Sequence, residues 1–447
     1  MKYKSIRDKL NQIIAERILI LDGAMGSMLQ AYRSSGCNDQ LCLTKPDIIS
    51  SIHEAYLEAG ADIIETCSFN ATPISLRELN HQNLTEDSAR EISAAAASLA
   101  RKAADKFSTP QKPCFVAGSM GPTGKSLSFT PDLDNPSIRQ ISWEEMEGAY
   151  YENARGLIEG GADILLIETV FDSLNAKAAF SAIKQLSKEL GQDLPVMVSA
   201  TVSETGHLLT GQTIEAFCVA MLEYEPLAIG LNCSFGPDLL KGPLERLSSY
   251  ASCPVIFYPN AGLPDSHGHY LDTPQTMALA AETCMQAGHV NIIGGCCGST
   301  PDHIAALAEK ARNHKPRSIP SPHTKTLLSG TQVLEIDDLD SFIKTQAKEH
   351  PWQAAGQASM QTTLDQGNYE DAIDIARDMA EKGLKILKIN PDKSPQPLKT
   401  LESFIFMSAG FSDLAKLPIL IESSSMDIID KGLKIFQGKG LSNHINP

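Results

Sequence analysis

The chain has few basic residues for its length, and this shortage argues against several classes of partner. It contains 38 Lys and Arg against 54 Asp and Glu, which gives a formal net charge of -16, and no run of Lys or Arg forms a basic patch. A nucleic-acid backbone or an anionic membrane surface would be repelled. Residues 1–23 predict an amphipathic helix and a short strand, with no signal peptide and no apolar stretch of membrane-spanning length after them. We therefore expect a cytoplasmic protein that binds neither nucleic acid nor membrane.

Common cysteine and nucleotide motifs are missing as well. The ten cysteines include no Cys-x-x-Cys pair, no His-Glu-x-x-His sequence occurs, and Ser119 stands where a phosphate-binding loop ending at Ser126 needs its first glycine. Scattered cysteines in a chain of 447 residues indicate a reducing compartment and thiols used for metal binding or chemistry.

What the sequence does contain is a repeated alternation of short apolar runs and helical patterns. Eight runs separated by helical segments predict a parallel (β/α)8 TIM barrel. The sequence Gly-Ala-Asp, at 60–62 and again at 161–163, predicts a helix end that leads directly into a strand. The eight predicted strands are 18–23, 62–68, 115–121, 163–169, 196–202, 227–234, 255–262 and 290–295.

The remaining residues predict a second, smaller β/α unit. Residues 1–312 form the predicted barrel domain, and residues 313–330, rich in Pro, Ser and Lys, form a predicted linker. Residues 331–447 repeat the alternation, with helices expected at 369–383, 398–409 and 426–438 and strands at 384–389 and 418–422. These units are too few to close a ring, so we expect a partial second β/α barrel after the first.

Three cysteines fall at the ends of predicted barrel strands. Cys296 and Cys297 follow strand eight between glycines, which permit the break in strand alternation that two adjacent thiols need to reach one ion. Cys233 ends strand six, and the ends of even-numbered strands can lie in one layer of the barrel mouth. Three thiolates with one open position are typical of a catalytic zinc site, although the same cysteines could also be core residues.

Polar residues at other strand ends suggest an amino-acid substrate. Asp22 can accept an ammonium, and the backbone at Gly23 and Ala24 can approach a carboxylate. Glu168 lies at the end of strand four, and Asn260 lies in the segment that closes strand seven. Each has an ordinary structural alternative, namely a capping turn for Asp22 and Asn260 and an ion pair for Glu168.

Residues 10–312 closely resemble the homocysteine-binding barrel of the cobalamin-dependent methionine synthase family. By that resemblance, Cys233, Cys296 and Cys297 bind zinc, Asn260 stands near the open position, and Asp22 and Glu168 hold the amino-acid end of homocysteine. Cys67 departs from the family, which more often has Asn there. The motifs that carry the resemblance are Leu21-Asp-Gly-Ala-Met-Gly26, Gly60-Ala-Asp-Ile-Ile-Glu-Thr66, Gly161-Ala-Asp-Ile-Leu-Leu-Ile-Glu-Thr169, Gly230-Leu-Asn-Cys-Ser-Phe-Gly-Pro237, Tyr258-Pro-Asn-Ala-Gly262 and Gly294-Gly-Cys-Cys-Gly-Ser-Thr-Pro-Asp-His-Ile304.

The second segment resembles the folate-binding barrel of the same family, with departures. Its first-strand signature is not found around residues 342–363, and Lys388 and Glu422 stand where the family has acidic Asp residues in the pterin pocket. We expect no working folate site, and no cobalamin-binding His motif is present. A truncated unit with open strand edges favours a partner protein or a homo-oligomer formed through this segment.

The resemblance implies a zinc-dependent homocysteine S-methyltransferase that forms methionine. A thiol is mostly protonated at neutral pH, and zinc would present homocysteine as the thiolate that attacks a methyl donor. The first expectation for the donor is methylcobalamin on a separate protein. The alternatives are S-methylmethionine or S-adenosylmethionine as a direct donor, and a non-catalytic module that senses homocysteine or zinc.

Overall fold

Eight parallel strands form the central barrel in the computed structural model, which describes residues 2–30, 37–79, 86–132, 137–321, 323–339 and 351–445. Neighbouring strands pair in parallel in the order β1-β8-β7-β6-β5-β4-β3-β2, and a parallel bridge between Leu21 and Ile63 joins the two ends of the sheet. The predicted (β/α)8 barrel is thus confirmed. The strands are β1 Leu19–Ile20, β2 Ile63–Glu65, β3 Phe115–Met120, β4 Ile164–Val170, β5 Val196–Ala200, β6 Ala228–Asn232, β7 Val255–Tyr258 and β8 Ile292–Ile293.

Helices surround this ring, and several carry sequence signals at their ends. Ser142 and Glu145 form a capping box at the start of α7. Gly60 and Gly161 adopt φ of 115° and 101° in the two Gly-Ala-Asp turns, as the repeated motif predicted. The helices are α1 Lys2–Glu16, α2 Met25–Gln30, α3 Leu41–Thr44, α4 Pro46–Glu58, α5 Pro73–Glu78, α6 Glu86–Phe107, α7 Trp143–Glu159, α8 Ser173–Leu190, α9 Ile214–Met221, α10 Pro237–Tyr250, α11 Pro274–Gln286 and α12 Pro301–Ala311.

The interior of the barrel is apolar at the N-terminal ends of the strands and polar at their C-terminal ends. Leu10 and Ile14 of α1 pack with inward-facing strand residues such as Ile63 and Ile164, and so close the N-terminal end of the ring. Because side chains alternate along a strand, Glu65 and Glu168 lie on the same inward face, one layer nearer the C-terminal ends. Functional groups are therefore expected at this upper layer.

Residues after the barrel form a hairpin and a small parallel sheet. Within the predicted linker, Thr326–Ser329 is a strand (β9) that pairs antiparallel with β10, Val333–Ile336. Strands β11 Leu387–Ile389, β12 Ile419–Ser423 and β13 Leu441–His444 form a three-stranded parallel sheet. The helices here are α13 Pro351–Asp365, α14 Tyr369–Glu381, α15 Pro397–Ser408, α16 Ser412–Ala415 and α17 Met426–Ile435.

The three-stranded sheet is open, and its two edges differ. Side-chain amides of Gln357 and Gln361 on α13 donate to the carbonyls of Lys388 and Asn390, and so cover the β11 edge. At the other edge lies β13, where the predicted contact with a second copy would form. That contact, the domain boundaries and the relation to a second barrel stay predictions. Residues 342–350, in the stretch searched for a first-strand signature, lie outside the described residues.

The C-terminal segment packs against the side of the barrel through α8. The buried Lys177 ammonium donates to the carbonyls of Phe436 and Gly438, both at 2.7 Å, and the Ser173 hydroxyl donates to the carbonyl of Gln437 at 3.1 Å. Within the described residues, no helix has both the length and the apolar character that a membrane span requires.

Candidate metal centre

A tight turn after β8 places two thiols side by side at the barrel mouth. The Cys296 amide donates to the Pro259 carbonyl at 2.8 Å, and the Ala261 amide donates to the Cys297 carbonyl at 2.9 Å. Gly298 follows with φ of 81°, and a Cβ there would lie 2.2 Å from Cγ of Tyr270. The glycine therefore allows a backbone turn that another residue could not adopt without displacing Tyr270.

Cys233 reaches the same place through a strained backbone. Cys233 and Ser234, directly after β6, have φ of 62° and 61°, values that non-glycine residues rarely adopt. Each such residue costs about 1 kcal/mol or more, and this kind of strain clusters at functional sites. The Cys233 amide donates to the Tyr258 carbonyl at 3.3 Å, which ties the turn to β7.

The three sulfur atoms form a group suited to a metal ion. They all lie within 4.8 Å of one another, and the sulfurs of Cys233 and Cys297 are 3.9 Å apart. Tetrahedral Zn–S bonds of about 2.3 Å place sulfurs roughly 3.8 Å apart. Among the described residues, this is the one group of three or more Cys, His, Asp or Glu side chains with this closeness. The residues predicted as metal ligands are thus brought together.

The electrostatics of the cluster already favour a thiolate. Hydrogen bonds from the thiols of Cys233 and Cys296 lower the pKa of Cys297 to about 3. The same shared hydrogen bonds raise the pKa of the Cys296 thiol, which is also buried. A thiol that ionises readily beside two others suits the binding of a soft cation.

Asn232, the last residue of β6, supports the thiol cluster and was missed by the sequence reasoning. Its amide nitrogen donates to Thr169 Oγ1 at 2.7 Å and lies 4.0 Å from Cys296 Sγ, while its oxygen accepts from the Thr169 amide at 2.9 Å. Ser199 also donates to that oxygen at 2.8 Å. A signal was present, since a polar Asn at an inward position of a buried strand requires partners.

Glu168 lies buried in the upper layer of the barrel, held by hydroxyl groups. Ser119 donates a short hydrogen bond to one carboxylate oxygen, and the Tyr258 hydroxyl donates to the other at 3.4 Å. Burial raises the pKa of Glu168 to about 7, against the lowering effect of the two hydroxyls. Among the described residues Glu168 has no ion-pair partner, so the ion pair considered from sequence is not found.

Asp22 and Glu65 place two further carboxyl groups nearby, of which Asp22 is buried and Glu65 is half-buried. The Glu65 amide donates to Asp22 Oδ2 at 3.0 Å. Asp22 Oδ1 and Glu65 Oε1 are buried and have no hydrogen-bond partner in the described structure. Burial, with the charge of Glu168, raises the pKa of both carboxyl groups. The mouth thus carries three acidic groups and few compensating donors.

The remaining predicted substrate residues, Gly23, Ala24 and Asn260, lie in the same region, but not all of them have free hydrogen-bonding groups. A Cβ on Gly23 would lie 2.7 Å from Ser299 Oγ and 2.8 Å from Tyr56 Cε1, so the position requires glycine. The Ala24 amide donates to Ser299 Oγ at 3.1 Å and is therefore already occupied. Asn260 lies between the residues that anchor the turn after β8, and its buried side-chain oxygen has no partner in the described structure.

Comparison with known proteins agrees with this geometry. The family model described as homocysteine S-methyltransferase matches residues 19–311. The metallated form of the homocysteine methyltransferase MmuM from Escherichia coli is 26% identical, with a TM-score of 0.54 over 67% of this chain and 98% of that chain. Its oxidized form is 26% identical, with a TM-score of 0.53 over 66% and 96%. The apo form is 25% identical, with a TM-score of 0.51 over 67% and 97%.

Proposed function

This chain belongs to the homocysteine S-methyltransferase family, and we propose that it forms methionine by methylating homocysteine at a zinc ion held by Cys233, Cys296 and Cys297. The observation that carries the proposal is the convergence of the three sulfurs within 4.8 Å at the C-terminal mouth of the barrel. Three protein ligands would leave one coordination position open for the substrate, as in catalytic zinc sites. When bound, zinc lowers the pKa of a thiol and so supplies a nucleophilic sulfur at neutral pH.

The chain's own residues position the substrate for this chemistry. Asp22 and Glu168 offer buried carboxylates to the ammonium of homocysteine, and the backbone at Gly23 lies beside them for its carboxylate. The side-chain oxygen of Asn260 lacks a hydrogen-bond partner among the described residues. In this proposal it contacts either the substrate or the open coordination position of the metal. Asn232 orients Cys296, since hydrogen bonds to ligand residues fix their geometry.

The donor in this proposal is methylcobalamin carried by a separate protein. The family resemblance of both segments supports it. A direct sulfonium donor, S-methylmethionine or S-adenosylmethionine, is the second candidate. One observation favours this second candidate. The match covers 98% of the homocysteine methyltransferase chain from Escherichia coli, so that whole chain corresponds to the barrel of this protein without the C-terminal segment.

Metal content and product formation test the proposal together. Zinc-loaded protein is incubated with homocysteine and each of the three donors in turn, and methionine is quantified. Cys296→Ser should lose both zinc and activity, whereas Cys253→Ser, a cysteine outside the cluster, should keep both. Full metal content in the Cys296 variant would contradict the ligand assignment. Wild-type protein that binds zinc and homocysteine but forms no methionine from any donor would support the sensing module instead.

A further inference from the structure

Glu65 stands at the end of β2, beside the predicted substrate residues, and has no role in the function proposed so far. We propose that Glu65 is a third carboxylate that contacts the ammonium of the substrate and makes the pocket specific for an α-amino acid with a free amino group. This inference rests on the proposed function, whose amino-acid pocket it extends. Its basis is the position, the missing partners and the spacing of the acidic groups.

The position of Glu65 follows from strand alternation. Ile63 belongs to the core inside the barrel and Ile64 to the core outside it, so Glu65 returns to the inward face. Its amide donates to Asp22 Oδ2 at 3.0 Å, which makes the two acidic residues direct neighbours. Glu65 therefore lies in the upper polar layer that also contains Glu168.

Within the described part of the chain, the acidic groups of this layer have no compensating positive charge. Asp22 Oδ1 and Glu65 Oε1 are buried without a hydrogen-bond partner in the described part of the chain. None of the ion pairs formed by the described residues includes Asp22, Glu65 or Glu168. Carboxylates in this layer without a cationic partner are costly, so the group requires a cation or bound protons.

The spacing of the three groups favours an ammonium over a metal ion. Among the described residues, the trio is not one of the groups whose ligand atoms all lie within 4.8 Å of one another. Metal–oxygen bonds of about 2.0–2.6 Å demand such closeness. An ammonium donates three N–H hydrogen bonds of about 2.8 Å, which are longer than metal–oxygen bonds, so it reaches oxygens that lie farther apart.

A ligand series on the zinc-loaded protein tests the role of Glu65. The ligands are L-homocysteine, 4-mercaptobutanoate, which lacks the amino group, and L-2-aminobutyrate, which lacks the thiol. Calorimetry should show that Glu65→Gln weakens binding of both amino acids at least tenfold and leaves 4-mercaptobutanoate unchanged. Glu58→Gln, an exposed acid on α4, should change none of them.

The outcomes separate this inference from the proposed function. Equal weakening of all three ligands, or no weakening of any, would overturn the role of Glu65. Failure of 4-mercaptobutanoate to bind wild-type protein would instead contradict thiol binding at the metal, while L-2-aminobutyrate still reports on Glu65. If the Gln variant does not fold, Glu65→Asp should weaken the two amino acids alone, because its carboxylate is withdrawn by one methylene. Unchanged affinities in that variant would also overturn the inference.

Discussion

Buried carboxyl groups at the barrel mouth oppose folding in their charged form. Glu168 is buried and accepts from Ser119 and Tyr258, yet its pKa is raised to about 7 because burial outweighs those hydrogen bonds. A carboxyl group whose pKa is raised in the folded state destabilises the fold at pH values where the unfolded chain would ionise it. Binding of an ammonium would relieve this cost.

Replacement of Glu168 should therefore change how stability depends on pH. In the folded protein the carboxyl keeps its proton up to about pH 7, whereas in the unfolded chain it loses it near its ordinary value. The free energy of unfolding of the wild type should fall as pH rises between these values, by up to about 3 kcal/mol. Thermal melts at pH 5 and pH 8 should show Glu168→Gln gaining stability relative to the wild type as pH rises. A gain that is equal at both pH values would contradict the assignment.

Among the elements, the turns after β6 and β8 decide whether the cysteines converge. Both leave ordinary strand geometry, one through the positive φ of Cys233 and Ser234 and the other through glycines. The glycines after strand eight predicted such a break. The strain at Cys233 could not be predicted, because it depends on the contact of that turn with β7.

Gly298 offers a test of this turn with a matched control. Gly298 and Gly268 have φ of 81° and 83°, but a Cβ at Gly268 meets nothing within 4 Å, whereas at Gly298 it overlaps Tyr270. Backbone strain should lower the free energy of unfolding of both alanine variants by about 1 kcal/mol. Only Gly298→Ala should also lower zinc affinity, by roughly tenfold or more, as measured by chelator competition. Equal zinc affinities in the two variants would show that the turn adapts without moving the thiols.

For the whole molecule, the contact between the barrel and the C-terminal segment includes a buried lysine. Lys177 lies inside α8 and donates to two carbonyls that follow α17. Removal of the ammonium leaves both carbonyls buried without that donor, and each such loss costs about 1–3 kcal/mol. The contact explains why a polar residue occupies a buried helix position.

Lys177→Met should therefore loosen the C-terminal segment, whereas Lys184→Met, an exposed lysine of the same helix, should not. Limited proteolysis should cut the first variant faster after residue 312, and its melting temperature should fall by several degrees. Zinc content should be unchanged in both variants, because neither residue lies at the barrel mouth. Identical cleavage rates would show that other contacts hold the segment.

The sequence by itself determined the barrel and the candidate metal ligands. Strand runs, helical periods and the Gly-Ala-Asp turns are local patterns, and a parallel barrel places strand ends at one mouth whatever the loops do. Cys233, Cys296 and Cys297 could therefore be brought together from strand number alone. The helices and strands predicted between residues 369 and 438 were likewise readable, with boundaries shifted by at most a few residues, whereas the short helix α16 was not predicted.

Only the tertiary structure decided which groups share hydrogen bonds and which have none. The hydrogen bond from the Ala24 amide to Ser299 and the contact of Asn232 with Cys296 both join residues far apart in the chain. That Asp22 Oδ1 and Glu65 Oε1 have no hydrogen-bond partner among the described residues also depends on the closed barrel. The strand β9 in the predicted linker and the hydrogen bond from Lys177 to the C-terminal segment were also not predictable from local sequence. Local patterns fix a backbone period, but hydrogen-bond partners and burial depend on side chains that only the closed barrel brings into contact.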